Sequence, residues 1–242
     1  MITNHEPSKS EISASPLRDS GADILKIREP KGFIFDLDGV IVNTVDLHYR
    51  AWKSVFDELG VPFDQRAMDR FRGVHQRQIL LSLVADLSEA QIRLYLAQKG
   101  SFYQRALLEA AHAIANPPVV NLLHAAKARG LKVGLASSSI NARMVLSLVH
   151  LLDHFDAVAD GATVSRSKPA PDIFVWVAGA LDLYPQEIIV VEDGVAGIEA
   201  ARTAGMFTVG INVAESPHPP HINLAMDDLS FELVCENFQK QG

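Results

Sequence analysis

The chain of 242 residues is long enough to bury a large core, and 48% of its residues are hydrophobic, as in ordinary globular proteins. Its net charge of −7 argues against a broad surface for nucleic acid or an anionic membrane, and no apolar stretch could cross a bilayer. The single cysteine, Cys235, excludes an intrachain disulfide framework and fits a reducing compartment. We therefore expect a cytoplasmic monomer that binds neither nucleic acid nor membrane.

The first predicted strand follows a polar tail. Residues 1–28 mix serine, proline and both signs of charge without the apolar segment of a secretory signal, which predicts disorder. The strand, Lys31–Leu37, is apolar and β-prone and runs into Asp36-Leu37-Asp38-Gly39. Side chains repeat every second residue, and parallel strands place ligands at their carboxyl ends, so Asp36 and Asp38 should meet at that edge. Two such carboxylates repel unless a cation joins them or one is protonated.

The pattern then stays helical as far as Ala115. It begins with Val45–Leu59, which Gly60 ends, continues around Ile79-Leu80-Leu81, and resumes after a capping box formed by Ser88 and Gln91. The segment Asn116-Pro117-Pro118 breaks this block. Residues 46–115 are therefore predicted to form an all-helical cap.

Strands and helices alternate in the rest of the chain. The predicted helices are Val119–Arg129, Ala142–Leu151, Pro171–Leu181 and Ala196–Ala204, and the predicted strands are Leu131–Ala136, Phe155–Ala159, Ile188–Val191 and Phe207–Ile211. This alternation indicates a parallel sheet with right-handed crossovers. The predicted fold is an α/β, Rossmann-like parallel-sheet core, formed by residues 29–45 and 116–242, into which the helical cap is inserted.

Polar residues stand where four of these apolar runs stop. Asp36 can act as a nucleophile that forms an aspartyl-phosphate, and Asp38 can donate and accept the proton. Mg²⁺ prefers oxygen ligands, and Asp36, Asp193 and the main-chain carbonyl of Asp38 could supply three, with Glu192 acting directly or through water. Ser137 could bind phosphate oxygens, and Lys168 could neutralise Asp36 and a phosphoryl group.

Each of these residues also has a simpler interpretation. The two aspartates could form a solvated turn, Asp193 could cap the following helix, one serine could be an N-cap, and a single lysine is usually a surface charge. The chain has no Walker loop, no Gly-x-Gly-x-x-Gly fingerprint and no cysteine pair, and Pro217-His218-Pro219-Pro220-His221 is interpreted as a loop.

The order of the motifs adds a resemblance to a known family. Asp-Leu-Asp-Gly-Val, Ala-Ser-Ser-Ser, Ser-Lys-Pro-Ala-Pro-Asp and Glu-Asp-Gly-Val-Ala-Gly resemble, in this order, the haloacid dehalogenase superfamily over about Lys31 to Ile211. The resemblance implies that Asp36 is the nucleophile and Asp38 the acid and base. It also implies that Ser137 and Lys168 hold phosphate and that Glu192 and Asp193 complete a Mg²⁺ site.

Within that superfamily the chain most resembles the β-phosphoglucomutases. This resemblance implies seven further substrate-site residues, namely Thr44, His48, Trp52, Gly73, Lys99, Ser139 and Asn141. Two expected cations are missing: the family's Gly-Val-x-Arg reads Gly73-Val74-His75-Gln76, and the lysine before Asn141 is Ile140. Arg77 and Arg143, or Arg72, would then have to bind the second phosphate that a mutase requires.

Three functions follow as hypotheses. The favoured one is a Mg²⁺-dependent mutase of the β-phosphoglucomutase type, which interconverts hexose 1-phosphate and hexose 6-phosphate, because Thr44, His48, Lys99 and Asn141 all match the resemblance. The second is a sugar-phosphate phosphatase, in which water attacks the aspartyl-phosphate and one phosphate site suffices. The third, a binding module without catalysis, predicts loss of the acid, the lysine or the metal residues, yet Asp38, Lys168 and Asp193 are all present.

Overall fold

The computed structural model describes residues 29–110 and 113–241. The tail predicted for residues 1–28 lies outside the described residues. None of the helices in the described part of the chain is both long and apolar enough to cross a membrane.

A six-stranded parallel sheet forms the centre of the core, which confirms the predicted fold class. The strands are β1 (Gly32–Phe35), β2 (Lys132–Ala136), β3 (Ala157–Ala159), β4 (Ile188–Glu192), β5 (Phe207–Ile211) and β6 (Ile222–Leu224). Their order is β3-β2-β1-β4-β5-β6, so that β1 lies between β2 and β4. This order brings the residues that follow β1, β2 and β4 to the same edge of the sheet.

The helices fall into a cap and two layers around the sheet. The cap helices are α1 (Val45–Glu58), α2 (Gln65–Arg70), α3 (Gln76–Leu83) and α4 (Glu89–Ala110). The helices that follow are α5 (Pro117–Ala128), α6 (Ala142–Leu148), α7 (Asp172–Leu181), α8 (Val195–Thr203) and α9 (Phe231–Gln239). In the cap, Trp52 and Phe56 of α1 pack with Met68, Ile79 and Ile92 in a hydrophobic cluster of their own.

Alternation along β1 explains the two layers of the core. Phe33 and Phe35 pack on one face of the sheet in a cluster that includes residues of α5, α6 and α9, whereas Ile34 packs on the other face with residues of α7 and α8. All four residues of β1 are buried, as expected for a central parallel strand covered on both faces.

Several observed elements differ from the predicted ones, and both β1 and β3 are shorter than predicted. The helix after the cap begins at Pro117, because two prolines occupy its first turn, where a missing N–H costs nothing. The helix predicted to reach Leu151 ends at Leu148, just before His150 adopts a positive φ of 59°. Strand β6 and helix α9, at the C-terminal side of the sheet, were not predicted at all.

The packing of β2 against α7 leads to a stability prediction. A Cβ atom at Gly134 would lie 2.3 Å from Val177 Cγ1 and 3.3 Å from Leu181 Cδ1, so Gly134→Ala must push the helix away from the sheet. We expect a loss of about 1–3 kcal/mol in the free energy of unfolding, measured by urea denaturation.

Gly179→Ala is the matched control, because a Cβ atom there meets nothing within 4 Å on the exposed side of α7. This substitution should stabilise the protein by about 0.5–1 kcal/mol through helix propensity. Equal effects of the two substitutions would contradict the packing argument.

Candidate active site

Lys168 lies at the centre of the site, between two carboxylates. Its Nζ donates hydrogen bonds to Asp36 Oδ1 at 2.6 Å, to Glu192 Oε2 at 2.7 Å and to the carbonyl of Ala136 at 3.0 Å. The side chain is fully buried. Although burial lowers the pKa of Lys168, Asp36 and Glu192 raise it well above its usual value, so the lysine is an ammonium ion.

A second feature of this edge is an excess of buried carboxylates. Asp36, Glu192 and Asp193 each offer an oxygen, and the three oxygens lie within 4.8 Å of one another. Burial, and then the charge of Glu192, raise the pKa of Asp36 well above its usual value; the same two causes raise that of Asp193 to about 7. Buried carboxylates so close together repel each other unless cations join them or one of them is protonated.

The carboxylate cluster fits Mg²⁺. Asp193 Oδ1 is buried without a hydrogen-bond partner in the described structure, and a hard cation with oxygen ligands would satisfy it. Both oxygens of Glu192 already accept hydrogen bonds, Oε2 from Lys168 and Oε1 from the backbone N–H groups of Asp193 and Gly194. A contact of Glu192 with the metal through water therefore fits best, and the predicted ligand set, including the Asp38 carbonyl, stays a prediction.

Gly39 allows the carboxylate of Asp193 to lie against the loop that follows β1. Its φ is 88°, and a Cβ atom there would lie 2.0 Å from Asp193 Oδ2. Any larger residue would both strain the backbone and displace the carboxylate.

The carboxylate of Asp38 points toward the cap, away from this cluster. Its Oδ1 accepts hydrogen bonds from Thr44 Oγ1 at 2.5 Å and from His48 Nε2 at 3.0 Å. Burial alone would raise the pKa of Asp38, but His48, these hydrogen bonds and Lys99 together lower it to about 2. Asp38 is thus held as a carboxylate that can accept a proton.

Lys99 extends this chain of contacts into the cap. Its Nζ lies 2.9 Å from His48 Nδ1, and because an ammonium ion has only donors, Nδ1 accepts and Nε2–H faces Asp38. Burial lowers the pKa of Lys99 to about 8, and burial and then Lys99 lower the pKa of His48. The ammonium also lies over the rings of Trp52 and Tyr103, at 5.5 and 4.9 Å from their centroids.

A cavity between core and cap gives access to both aspartates. The residues that line it from the core are Asp36, Asp38, Ser137, Ser138, Ser139 and Asn141. Those that line it from the cap are Val45, His48, Trp52, Met68, Phe71, Arg72, Gly73, Val74, Gln76, Ile79 and Lys99. Hydrogen bonds hold the cap against the core, from Ser138 Oγ to the carbonyl of Gly73 at 2.7 Å and from Gln104 Nε2 to Asn141 Oδ1 at 3.3 Å.

The structure does not bring the two expected replacement cations to this cavity. Arg77 forms an exposed ion pair with Glu89, with a shortest contact of 2.5 Å, and Arg143 donates to the carbonyl of Val158 at 2.9 Å. Neither residue lines the cavity. One helical position corresponds to a rotation of about 100°, so the neutral Gln76 faces the cavity and Arg77 faces away from it.

The sequence alone did not predict that Arg72 contacts Asp193. Its Nη1 donates to Asp193 Oδ2 at 2.7 Å, across the boundary between cap and core. The signal in the sequence was only its position beside Gly73, in the turn predicted to face the substrate.

Comparisons with known proteins place the chain in a family. A family model described as haloacid dehalogenase-like hydrolase matches residues 33–211. The chain belongs to the haloacid dehalogenase-like hydrolases. Within this family it is 33% identical to the β-phosphoglucomutase of Bacillus subtilis over 217 residues, which cover 87% of this chain and 96% of that protein. It is 32% identical to a fructose-1-phosphate phosphatase of Escherichia coli over 184 residues, 75% of this chain and 96% of that protein.

A solved structure of the same family has a similar fold. The β-phosphoglucomutase of Clostridium difficile superimposes with a TM-score of 0.80 at 30% identity, covering 88% of this chain and 98% of that one. The mutase of Bacillus subtilis and the phosphatase of Escherichia coli thus have nearly equal identity to this chain, but the mutase aligns over more of it.

The contact between Lys99 and His48 predicts a change in the titration of the histidine. The charge of Lys99 repels a protonated imidazole, so Lys99→Met should raise the pKa of His48, followed by NMR titration of the ring protons. Lys53→Met is the control, because Lys53 lies on α1 together with His48 but forms an exposed ion pair with Asp57. A pKa of His48 that is unchanged by Lys99→Met would contradict the contact.

Proposed function

We propose that this haloacid dehalogenase-like hydrolase transfers a phosphoryl group from a phosphorylated sugar to Asp36, in a Mg²⁺-dependent reaction. The observation that supports this proposal most is the buried contact of Lys168 with Asp36 and Glu192 beside Asp193. A cationic group beside a nucleophilic carboxylate offsets the charge that a phosphate brings. The sugar is inferred from the mutase and phosphatase relatives.

The proposed reaction has two half-reactions, and Asp36 and Asp38 act in both. An oxygen of Asp36 attacks phosphorus, the bond from phosphorus to the sugar oxygen breaks, and that oxygen takes a proton from Asp38. Asp38 must have taken up this proton before the step, because its surroundings in the structure favour the carboxylate. A hydroxyl oxygen then attacks the aspartyl-phosphate, its proton passes to Asp38, and Asp36 is released as a carboxylate. Mg²⁺ bound at Asp36 and Asp193 would supply further charge stabilisation.

The charges of the cavity favour water as the second acceptor, which makes the protein a sugar-phosphate phosphatase. A mutase must hold two phosphates at once, and a second phosphate dianion in a closed cavity needs cationic donors. Of the lysines and arginines in the described structure, Arg72 and Lys99 line the cavity, and each is already engaged, with Asp193 and His48 respectively. The position that would hold the family's arginine carries Gln76 instead.

A mutase remains the second candidate on a separate observation. Thr44, His48 and Lys99 form a continuous series of contacts from the cap to Asp38. Such contacts join cap closure to the acid and base, and closure excludes the water that would hydrolyse the aspartyl-phosphate. The identity of 33% to a β-phosphoglucomutase points the same way.

The nucleophile can be tested by trapping the intermediate. Wild-type protein with Mg²⁺ and acetyl phosphate should form a hydroxylamine-labile phosphoryl adduct at Asp36, detected by mass spectrometry of the peptide. Asp36→Asn should abolish the adduct and lower phosphoryl transfer by several orders of magnitude, since it removes the attacking oxygen. Asp57→Asn, an exposed change on α1, is the control. Full activity of Asp36→Asn would reject the proposal.

The two candidates differ in their products. With β-glucose 1-phosphate, Mg²⁺ and a trace of glucose 1,6-bisphosphate, we expect the protein to release inorganic phosphate and glucose. Glucose 6-phosphate formed faster than inorganic phosphate would replace the phosphatase by the mutase. In that event a cation must bind the second phosphate, and Arg72 lines the cavity. Arg72→Gln should then lower glucose 6-phosphate formation more than the exposed change Arg70→Gln.

A further inference from the structure

The contact between Arg72 and Asp193 joins the cap to the carboxylate cluster. Arg72 lies in the turn between α2 and α3, whereas Asp193 follows β4 of the core. Their ion pair of 2.7 Å leaves the side chain of Asp193 only 2% exposed. The guanidinium also contacts Asp69 of the cap, from Nη2 at 3.1 Å and from Nε at 3.3 Å.

The backbone of the same turn is seated against the core. A Cβ atom at Gly194 would lie 2.8 Å from the carbonyl oxygen of Arg72, so only glycine permits this approach. One residue on, the carbonyl of Gly73 accepts from Ser138 Oγ at 2.7 Å. The backbone contacts and the ion pair of Arg72 thus hold the same turn against the core, so that a change in one changes the other.

Asp193 offers its two oxygens unequally. Oδ2 is bound by Arg72, while Oδ1 is buried without a hydrogen-bond partner in the described structure. A divalent cation at the cluster would satisfy Oδ1, but it would then stand beside the guanidinium. Two cations on one buried carboxylate repel each other, and each weakens the attraction that holds the other.

We infer that Arg72 competes with Mg²⁺ for Asp193, and that binding of the metal weakens the contact between the core and the cap turn that carries Arg72. The inference rests on the proposed function in one respect, the role of Asp193 as a metal ligand. Arg72, a residue of the cap, thereby lowers the affinity of the core for Mg²⁺. By reciprocity, the factor by which bound metal weakens the contact of this turn with the core equals the factor by which that contact weakens metal binding.

The direct test measures Mg²⁺ affinity by isothermal titration calorimetry on the full chain, with the metal alone. Arg72→Gln should lower the Kd for Mg²⁺ by about fivefold or more, a value at the low end of typical couplings because Arg72 is 30% exposed. Arg72→Lys, which keeps the charge, should stay closer to wild type.

Arg70→Gln is the matched control. It removes the same charge from the neighbouring helix, but Arg70 is exposed and does not line the cavity. This control should leave the Kd within about twofold of wild type, since exposed charges at a distance are screened. An unchanged or raised Kd in Arg72→Gln would overturn the inference.

A second measurement needs only the wild-type protein, in case Arg72→Gln does not fold. Hydrogen exchange of the backbone amides of residues 71–76 should become faster when Mg²⁺ is added without substrate. Slower or unchanged exchange at saturating Mg²⁺ would overturn the inference while leaving the metal site intact. If wild type binds no Mg²⁺ at all, both the inference and the metal-dependent reaction are rejected.

Discussion

The site depends on one buried interaction, the ammonium group of Lys168 between Asp36 and Glu192. A charge taken out of water is stable only with partners, and here the partners belong to separate segments. Asp36 follows β1, Glu192 ends β4, and the carbonyl of Ala136 ends β2. The three strands must therefore be paired in register before Lys168 can make all three contacts.

The carboxylates outnumber the cations in this cluster, and that imbalance has consequences beyond the core. Lys168 and Arg72 are the cations in contact with the three buried acids in the described structure. One of the two comes from the cap. The position of the cap is thus part of the electrostatics of the core, just as the contact of His48 with Asp38 makes the cap part of the proposed acid–base chemistry.

Family membership leaves the outcome of the reaction open because the outcome depends on few side chains. Both a mutase and a phosphatase are among the relatives at more than 30% identity. A mutase needs cations for a second phosphate and a cap that excludes water, whereas a phosphatase needs neither. Here the rotation of a single helical position decides that Gln76 faces the cavity while Arg77 pairs with Glu89 at the surface.

The sequence by itself determined the parallel sheet, the helical insertion and the meeting of Asp36, Lys168 and Asp193 at one edge. For Asp36 and Asp193 this meeting follows from a local pattern, since polar residues follow the apolar runs of β1 and β4. The prediction that Lys168 also follows a strand directly was wrong, because β3 ends at Ala159 and Lys168 lies in the segment between β3 and α7. Strand β6 escaped prediction because it is short and only partly buried. Helix α9 also escaped prediction, although Ser230 caps its start. Only the tertiary structure decided where the arginines point. A long, flexible, charged side chain takes its direction from partners distant in sequence, as Arg72 does from Asp193.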